Sequence, residues 1–279
     1  MKKGTFMNIA LTEQRDSREN QLGWSKSILE MSKEVAGINE ELEKTPNNAD
    51  LWMIKGIALS KSLLFREAID AYSIALSYDP FHALVYRHRG HRHLSIRMYK
   101  QAAADFELSS RIDSTNWDTW YHLGLAYYLL GDFKRSESVY RKCMEITDTD
   151  DKYVAIADWY WMTLMRLGKK EEAIKLIEPI TEDTDPGENA SYHRRLLMYK
   201  GLLKPEELLY FEGAQLPDLE LATQGYGLGH YYLVYGEIEK AKAMFKRIVE
   251  DSTQWSAFGY LAAEAELSNM SKSDSLSSY

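Results

Sequence analysis

The sequence has few of the features that mark secreted or membrane-spanning proteins. Its 279 residues include one cysteine, Cys143, so an internal disulfide is impossible and a reducing compartment is expected. No apolar run approaches the roughly 20 residues that a membrane helix needs. The apolar stretch after Met1 is short and soon reaches Glu13 and Arg15, which is not typical of a secretory signal. We therefore expect a cytoplasmic protein.

An excess of positive charge and the motifs of catalysis are also lacking. The chain has 34 Lys and Arg against 42 Asp and Glu, a formal net charge of −8, whereas non-specific nucleic-acid binding depends on neutralised phosphates. There is no nucleophile elbow, zinc-protease helix or phosphate loop, and Gly225, Gly227 and Gly229 have the wrong spacing for a nucleotide loop. We expect no enzymatic activity, no cofactor, and neither nucleic acid nor membrane as a partner.

What the sequence does contain is an internal repeat of 34 residues. Residues separated by that offset share a side-chain type in six columns over three repeats. The columns are Trp52, Tyr86 and Trp120; Gly56, Gly90 and Gly124; Phe65, Tyr99 and Phe133; Ala68, Ala102 and Ser136; Tyr72, Phe106 and Tyr140; and Ala75, Ser109 and Cys143. Glycine inside a helix costs about 1 kcal/mol relative to alanine. Its regular recurrence therefore predicts that a neighbouring backbone approaches closely at that column.

These columns resemble the tetratricopeptide-repeat (TPR) signature, with its 34-residue period and W…LG…Y…A…F…P pattern. The first repeat matches nearly every slot and ends at Pro80, and the third matches as well. The resemblance covers about residues 47–250. It implies an all-α fold, a right-handed α-solenoid of about six helix-turn-helix pairs with capping helices.

Weaker copies of the repeat are predicted in the second half of the chain. Gly131, Gly168, Gly201 and Gly236 each separate two apolar segments, as left-handed residues at helix ends do. The predicted repeats are 47–80, 81–114, 115–150, 151–185, 186–217 and 218–250. The fifth departs most, because Pro205 begins its second helix.

Both ends of the repeat array are predicted to be capped. The region 1–46 contains an amphipathic pattern from Trp24 to Lys44, which predicts an N-terminal capping helix. The segment 251–267 is predicted to be a C-terminal capping helix, since solenoids cover their open ends. Residues 268–279 are rich in serine and poor in apolar side chains, and we predict a disordered tail there.

The resemblance also implies a partner-binding groove. In TPR proteins the first helix of each pair lines a concave surface that grips an extended peptide or a helix. Carried onto this chain, that geometry places Met53 and Ile57 at its first repeat. Its predicted partner contacts are Arg87, His91, Tyr121, His122, Tyr128, Asp158, Trp159, Met162, Tyr192, Arg195, Tyr199, Tyr226 and His230. This composition is typical of binding surfaces. The alternative is that several of these rings pack between adjacent repeats.

The stretch from His82 to Lys100 is unusually basic. It holds four arginines, one lysine, four of the seven histidines and no acidic residue, so it could attract a carboxylate or phosphate of a partner. The alternative is a solvated helix surface balanced by acidic neighbours. Only His88 and His91 could share a metal ion, and without a cysteine or carboxylate nearby we expect no metal site.

The predicted function is a protein-interaction scaffold that binds a peptide or protein segment in the groove. An acidic segment or a C-terminal carboxylate is the expected contact of the basic stretch, although a chaperone-type carboxylate clamp would lack a cation at Trp159. Two alternatives stay open. One is an enzyme or small-molecule sensor that uses the polar groove around His122, Asp158, Arg195 and His230. The other is a scaffold that forms homo-oligomers.

Overall fold

The computed structural model describes residues 33–210 and 216–276, and these residues form helices and turns but no strand. The helices are α1 (Lys33–Lys44), α2 (Ala49–Lys61), α3 (Phe65–Tyr78), α4 (Ala83–Ser95), α5 (Tyr99–Ile112), α6 (Trp117–Leu129), α7 (Phe133–Glu145), α8 (Asp150–Arg166), α9 (Lys170–Ile177), α10 (Ala190–Tyr199), α11 (Pro205–Leu208), α12 (Asp218–Val234), α13 (Ile238–Asp251) and α14 (Phe258–Leu276). The predicted all-α class is confirmed. The chain divides into two compact units, residues 1–92 (unit 1) and 93–279 (unit 2).

The described part of unit 1 is a core built by α1, α2, α3 and the start of α4. Helix α1 buries Val35, Ile38 and Leu42, at the three- and four-residue spacing of an amphipathic helix. These side chains pack in one cluster with Tyr72 of α3. Asn48 caps α2, because its side-chain oxygen accepts a hydrogen bond from the Leu51 amide at 3.1 Å. The part of the predicted capping helix before residue 33 lies outside the described residues.

The glycine column is explained by one contact that recurs in both units. A methyl group on each glycine would collide with the ring of an aromatic residue in the second helix of the same pair. The pairs are Gly56 with Tyr72, Gly124 with Tyr140, and Gly229 with Phe245. The close neighbour is therefore a side-chain ring, whereas the sequence had suggested a backbone. The glycine and aromatic columns are two halves of one packing contact.

Unit 2 contains the helix pairs α6–α7, α8–α9, α10–α11 and α12–α13, preceded by α5 and followed by α14. The glycines predicted to separate paired helices, Gly131, Gly168, Gly201 and Gly236, have φ angles between 73° and 83°. This left-handed conformation favours glycine. The second helix of the fifth repeat begins at Pro205, as expected, and has only four residues. Cys143 is fully buried.

The C-terminal helix differs from the prediction. Helix α14 continues to Leu276, whereas the sequence predicted a disordered tail from residue 268. Met270 is half-buried and lines a pocket together with Met165 and Leu233. This packing orders a segment whose serine-rich composition alone favours disorder. The last three residues lie outside the described part of the chain.

Candidate partner-binding surfaces

The residues predicted to line the groove of unit 2 converge on one another. They lie on the first helices of successive pairs, α6, α8, α10 and α12, so the predicted register brings them to a common inner face. Ten of the thirteen predicted contacts are buried: Tyr121, His122, Tyr128, Asp158, Trp159, Met162, Arg195, Tyr199, Tyr226 and His230. Tyr192 is only partly buried. Side chains this little exposed offer almost no surface to a partner in this conformation, and the groove role of these ten residues stays a prediction.

Helices α6 and α12 close this inner face by direct contact. The hydroxyl oxygens of Tyr128 and Tyr226 lie 2.7 Å apart. The ring of Tyr226 stacks on Trp159 of α8 with a centroid distance of 5.7 Å, and Tyr128 meets Trp159 edge-to-face at 5.2 Å. Such aromatic pairs contribute roughly 0.5–1.5 kcal/mol each beyond their buried area. The inner surface of unit 2 is therefore a packed aromatic core.

A buried ion pair lies within this core. Arg195 Nη2 is 2.9 Å from Asp158 Oδ2, and neither side chain has exposed surface. The guanidinium lies over the rings of Trp159, Tyr192 and Tyr226 at 5.3–5.8 Å. Burial raises the pKa of Asp158 to about 7, and the charge of Arg195 opposes that rise. Removing one partner of such a pair typically costs about 3–5 kcal/mol, because the other charge stays buried.

The ring of His230 lies in the same aromatic core. It has no exposed surface, and neither ring nitrogen has a hydrogen-bond partner among the described residues. Burial lowers the pKa of His230 well below its usual value, and the charges of Arg166 and Arg195 lower it further. The ring is therefore neutral near pH 7. His122, Asp158, Arg195 and His230 are all buried, so nothing here favours an enzyme or sensor site.

Helix α14 adds a second layer over the inner face. Arg97 Nε donates a hydrogen bond to Glu264 Oε2 at 2.8 Å, and Arg166 forms an ion pair with Glu266. The ring of Phe258 meets His122 edge-to-face at 5.6 Å. The residues that these contacts join are a hundred or more positions apart in the chain. The sequence therefore did not predict these contacts.

Unit 1 presents the accessible part of the predicted groove. At an offset of 34 residues, Met53 and Arg87 correspond to Tyr121, and Ile57 and His91 correspond to Leu125. The side chains in repeat three are buried, whereas the four in unit 1 are only partly buried. Met53 and Ile57 pack against the core of unit 1. The same repeat position is thus accessible in unit 1 and covered in unit 2.

Two other arginines of the basic stretch point onto α3. Arg89 donates a hydrogen bond to Ser73 Oγ at 3.1 Å, and the guanidinium of Arg92 lies 4.6 Å from the centre of the Phe65 ring. These side chains therefore support the packing of α4 on α3. In the described residues no three His, Cys, Asp or Glu side chains are grouped as metal ligands. No helix in that part of the chain has the length and apolar character to span a membrane.

Helix pairs that repeat a glycine beneath an aromatic ring define an α-helical repeat protein. A family model described as tetratricopeptide repeat matches residues 118–150. A solved tetratricopeptide repeat protein from Parabacteroides merdae shares the fold, with a TM-score of 0.55 and 16% identity over 83% of this chain and 91% of that one. The chain thus contains a tetratricopeptide repeat, and its fold class is the TPR-type α-solenoid.

Two curated relatives are similar to part of the chain. The heat-shock protein cognate (HSC) co-chaperone sgt12 of Aspergillus fumigatus is 29% identical over 128 residues, which is 46% of this chain and 36% of that protein. Anaphase-promoting complex subunit 3 of Schizosaccharomyces pombe is 24% identical over 108 residues, 39% of this chain and 16% of that protein. The chain thus spans little more than a third of the first relative and about a sixth of the second.

Proposed function

We propose that the protein is a non-catalytic, cytoplasmic scaffold that binds a peptide or protein segment. Its tetratricopeptide repeats support this role, and its relatives include a co-chaperone and a subunit of a complex. The similarity covers only part of those proteins. We therefore propose the general role of binding a peptide or protein segment, and not the particular partners of those proteins.

The observation that carries the proposal is the accessible surface of unit 1. Met53 and Ile57 on α2 offer apolar contact, while Arg87 and His91 on α4 offer hydrogen-bond donors and positive charge. The starts of the two helices are linked, because His82 Nε2 lies 2.9 Å from Asp50 Oδ1. An apolar surface beside charged donors is a common arrangement in protein interfaces.

This surface matches a segment that carries a carboxylate next to an apolar side chain. The carboxylate is an acidic side chain or the C-terminus of the partner. Arginine suits such a group because its planar guanidinium can form two parallel hydrogen bonds. His91 adds charge only when it is protonated.

Affinity capture followed by mass spectrometry tests this proposal. The full-length protein is used as bait, together with Arg87→Glu and a matched control, Arg111→Glu, which reverses an exposed arginine of unit 2. We expect a protein partner that wild type and the control retain and Arg87→Glu loses. Failure to retain any protein reproducibly contradicts the scaffold function. A partner that all three retain contradicts only the assignment of the site.

A further inference from the structure

Three tyrosines form an accessible cluster at the end of α12. The centres of the Tyr231 and Tyr235 rings are 4.6 Å apart, and those of Tyr231 and Tyr232 are 6.2 Å apart. Tyr235 is 52% exposed, and the other two side chains are partly exposed. Tyrosine is enriched in the cores of protein interfaces. We call these three residues the tyrosine surface.

The tyrosine surface lies on a different face of α12 from the aromatic core. Tyr226 and His230 are four residues apart, share the inner face and are fully buried. Tyr231 and Tyr235 are also four residues apart and share a face. Tyr231 is one position beyond His230, which rotates its side chain by about 100° around a helix with 3.6 residues per turn. A partner can therefore contact these rings while the inner face stays closed.

Carboxylates lie beside the tyrosine surface. Burial raises the pKa of Tyr231, and the negative charges of Glu237 and Glu206 raise it further. Burial also raises the pKa of Tyr232 against the charge of Lys240, and the same two glutamates add to that rise. The starts of α11 and α13, with the residue before each, contain Glu206, Glu207, Glu237 and Glu239 against Lys204 and Lys240. Negative charge is thus in excess around the rings.

A lysine of the chain shows which chemistry these rings accept. Lys240 Nζ lies 5.2 Å from the centre of the Tyr232 ring, and it also forms an ion pair with Glu237. A cation over the face of an aromatic ring is attracted by the quadrupole of the ring. A ring and a carboxylate of this surface therefore hold one positive charge together, although the lysine side chain is 63% exposed.

We propose that the tyrosine surface, together with Glu206 and Glu237, is a docking site for an arginine-rich segment of a partner protein. The planar guanidinium of arginine both stacks on aromatic rings and pairs with carboxylates. A purely apolar segment would instead bury these carboxylates without partners, which is unfavourable. The inference rests on the proposed scaffold function, but it concerns a different surface from that of Arg87.

An anisotropy titration of the full-length protein with a fluorescein-labelled peptide of alternating arginine and glycine tests the proposal. Tyr231→Leu/Tyr235→Leu keeps apolar side chains but removes the π faces of both rings. An exposed cation–π contact accounts for about a two- to fivefold change in Kd, so the double variant should bind about fivefold more weakly or worse. Tyr235→Phe keeps its π face and should bind as wild type does. Tyr235→Leu alone provides the test if the double variant does not fold.

Matched controls separate this site from the general attraction between an acidic protein and a basic peptide. Tyr78→Leu replaces a tyrosine of similar exposure, 48%, in unit 1 and should leave the Kd unchanged. Glu206→Gln should raise the Kd more than Glu171→Gln, which removes an exposed carboxyl at the same position of α9. A peptide with citrulline in place of arginine keeps the shape and loses the charge, so it should bind about tenfold more weakly.

Four results overturn the proposal. The first is that wild type does not bind the arginine peptide. The second is an equal Kd for the double leucine variant and Tyr78→Leu, which leaves only general attraction. The third is that Tyr235→Phe binds as weakly as Tyr235→Leu, which assigns the contact to the hydroxyl group. The fourth is a wild-type dimer in light scattering that the double variant dissociates, which makes a second copy the occupant. None of these results affects capture of a partner through Arg87, so the two proposals fail separately.

Discussion

The hydroxyl oxygens of Tyr128 and Tyr226 lie 2.7 Å apart, although 98 residues separate the two tyrosines. This contact joins the first helix of the third repeat to the first helix of the sixth. In a solenoid each repeat ordinarily touches only its neighbours. Within unit 2, the surface that the sequence assigned to a partner has become an aromatic core.

The packing of glycine against an aromatic ring predicts the effect of Gly124→Ala. The added methyl group collides with the ring of Tyr140, which is fully buried. Overpacking of this kind typically costs about 1–3 kcal/mol, so the free energy of unfolding in a denaturant titration should fall by that amount. Gly37→Ala is the control, because no described residue lies within 4 Å of a methyl group added there. Equal stability of Gly124→Ala and wild type would show that the ring can move aside.

The buried carboxyl group of Asp158 predicts a loss of stability as the pH rises. Its pKa is about 7 in the folded chain, against a usual value of 3.8, because burial disfavours the charged form. The unfolded chain therefore loses this proton first. The contribution of Asp158 is fully present below its unfolded pKa and is lost as the pH rises through about 7.

Chemical denaturation at several pH values between 4 and 8 measures this effect. Asp158→Asn removes the titrating group, so its stability should change less with pH over that range, even though the variant is less stable throughout. Asp183→Asn replaces an exposed carboxyl and serves as the control. Parallel curves for wild type and Asp158→Asn would show that Arg195 keeps the carboxyl ionised.

The ring of His230 has no hydrogen-bond partner in the part of the chain that the structure describes, which predicts that an apolar residue is preferred at this position. His230→Leu should raise the free energy of unfolding at pH 7 by about 1–3 kcal/mol, the typical cost of an unsatisfied buried polar group. Because burial lowers the pKa of His230, its neutral form contributes stability above the unfolded pKa, and this contribution is lost as the pH falls. The gain from His230→Leu should therefore be larger at pH 5 than at pH 7. A destabilised variant would indicate that buried water satisfies the ring.

The accessible surface of unit 1 predicts a binding defect for Arg87→Ala. A charge-assisted hydrogen bond contributes about 1.5–3 kcal/mol, which corresponds to a roughly ten- to hundredfold increase in the Kd of the captured partner. Added salt should weaken wild-type binding in the same direction, because partly exposed charges are screened. Arg89→Ala is the matched control, since Arg89 hydrogen-bonds Ser73 within the unit. Equal titration curves for the two variants would remove Arg87 from the site.

The repeat pattern could be predicted from the sequence because its contacts are local. Gly124 and Tyr140 are sixteen positions apart, and the contact recurs with the 34-residue period. The resemblance to tetratricopeptide repeats placed Tyr128, Asp158, Arg195 and His230 on first helices, and they lie on α6, α8, α10 and α12. Left-handed glycines such as Gly131 follow from the chemistry of a single turn.

The tertiary structure alone decided which part of the predicted groove is accessible. Contacts between Tyr128 and Tyr226, or between Arg97 and Glu264, depend on small rotations that accumulate over several repeats of unit 2. The repeat pattern in the sequence does not show the total of these rotations. The sequence determined that first helices share a face, because side-chain direction follows helix periodicity. Whether that face stays accessible, as at Arg87, or closes, as at Tyr128, depends on packing between residues far apart in the chain.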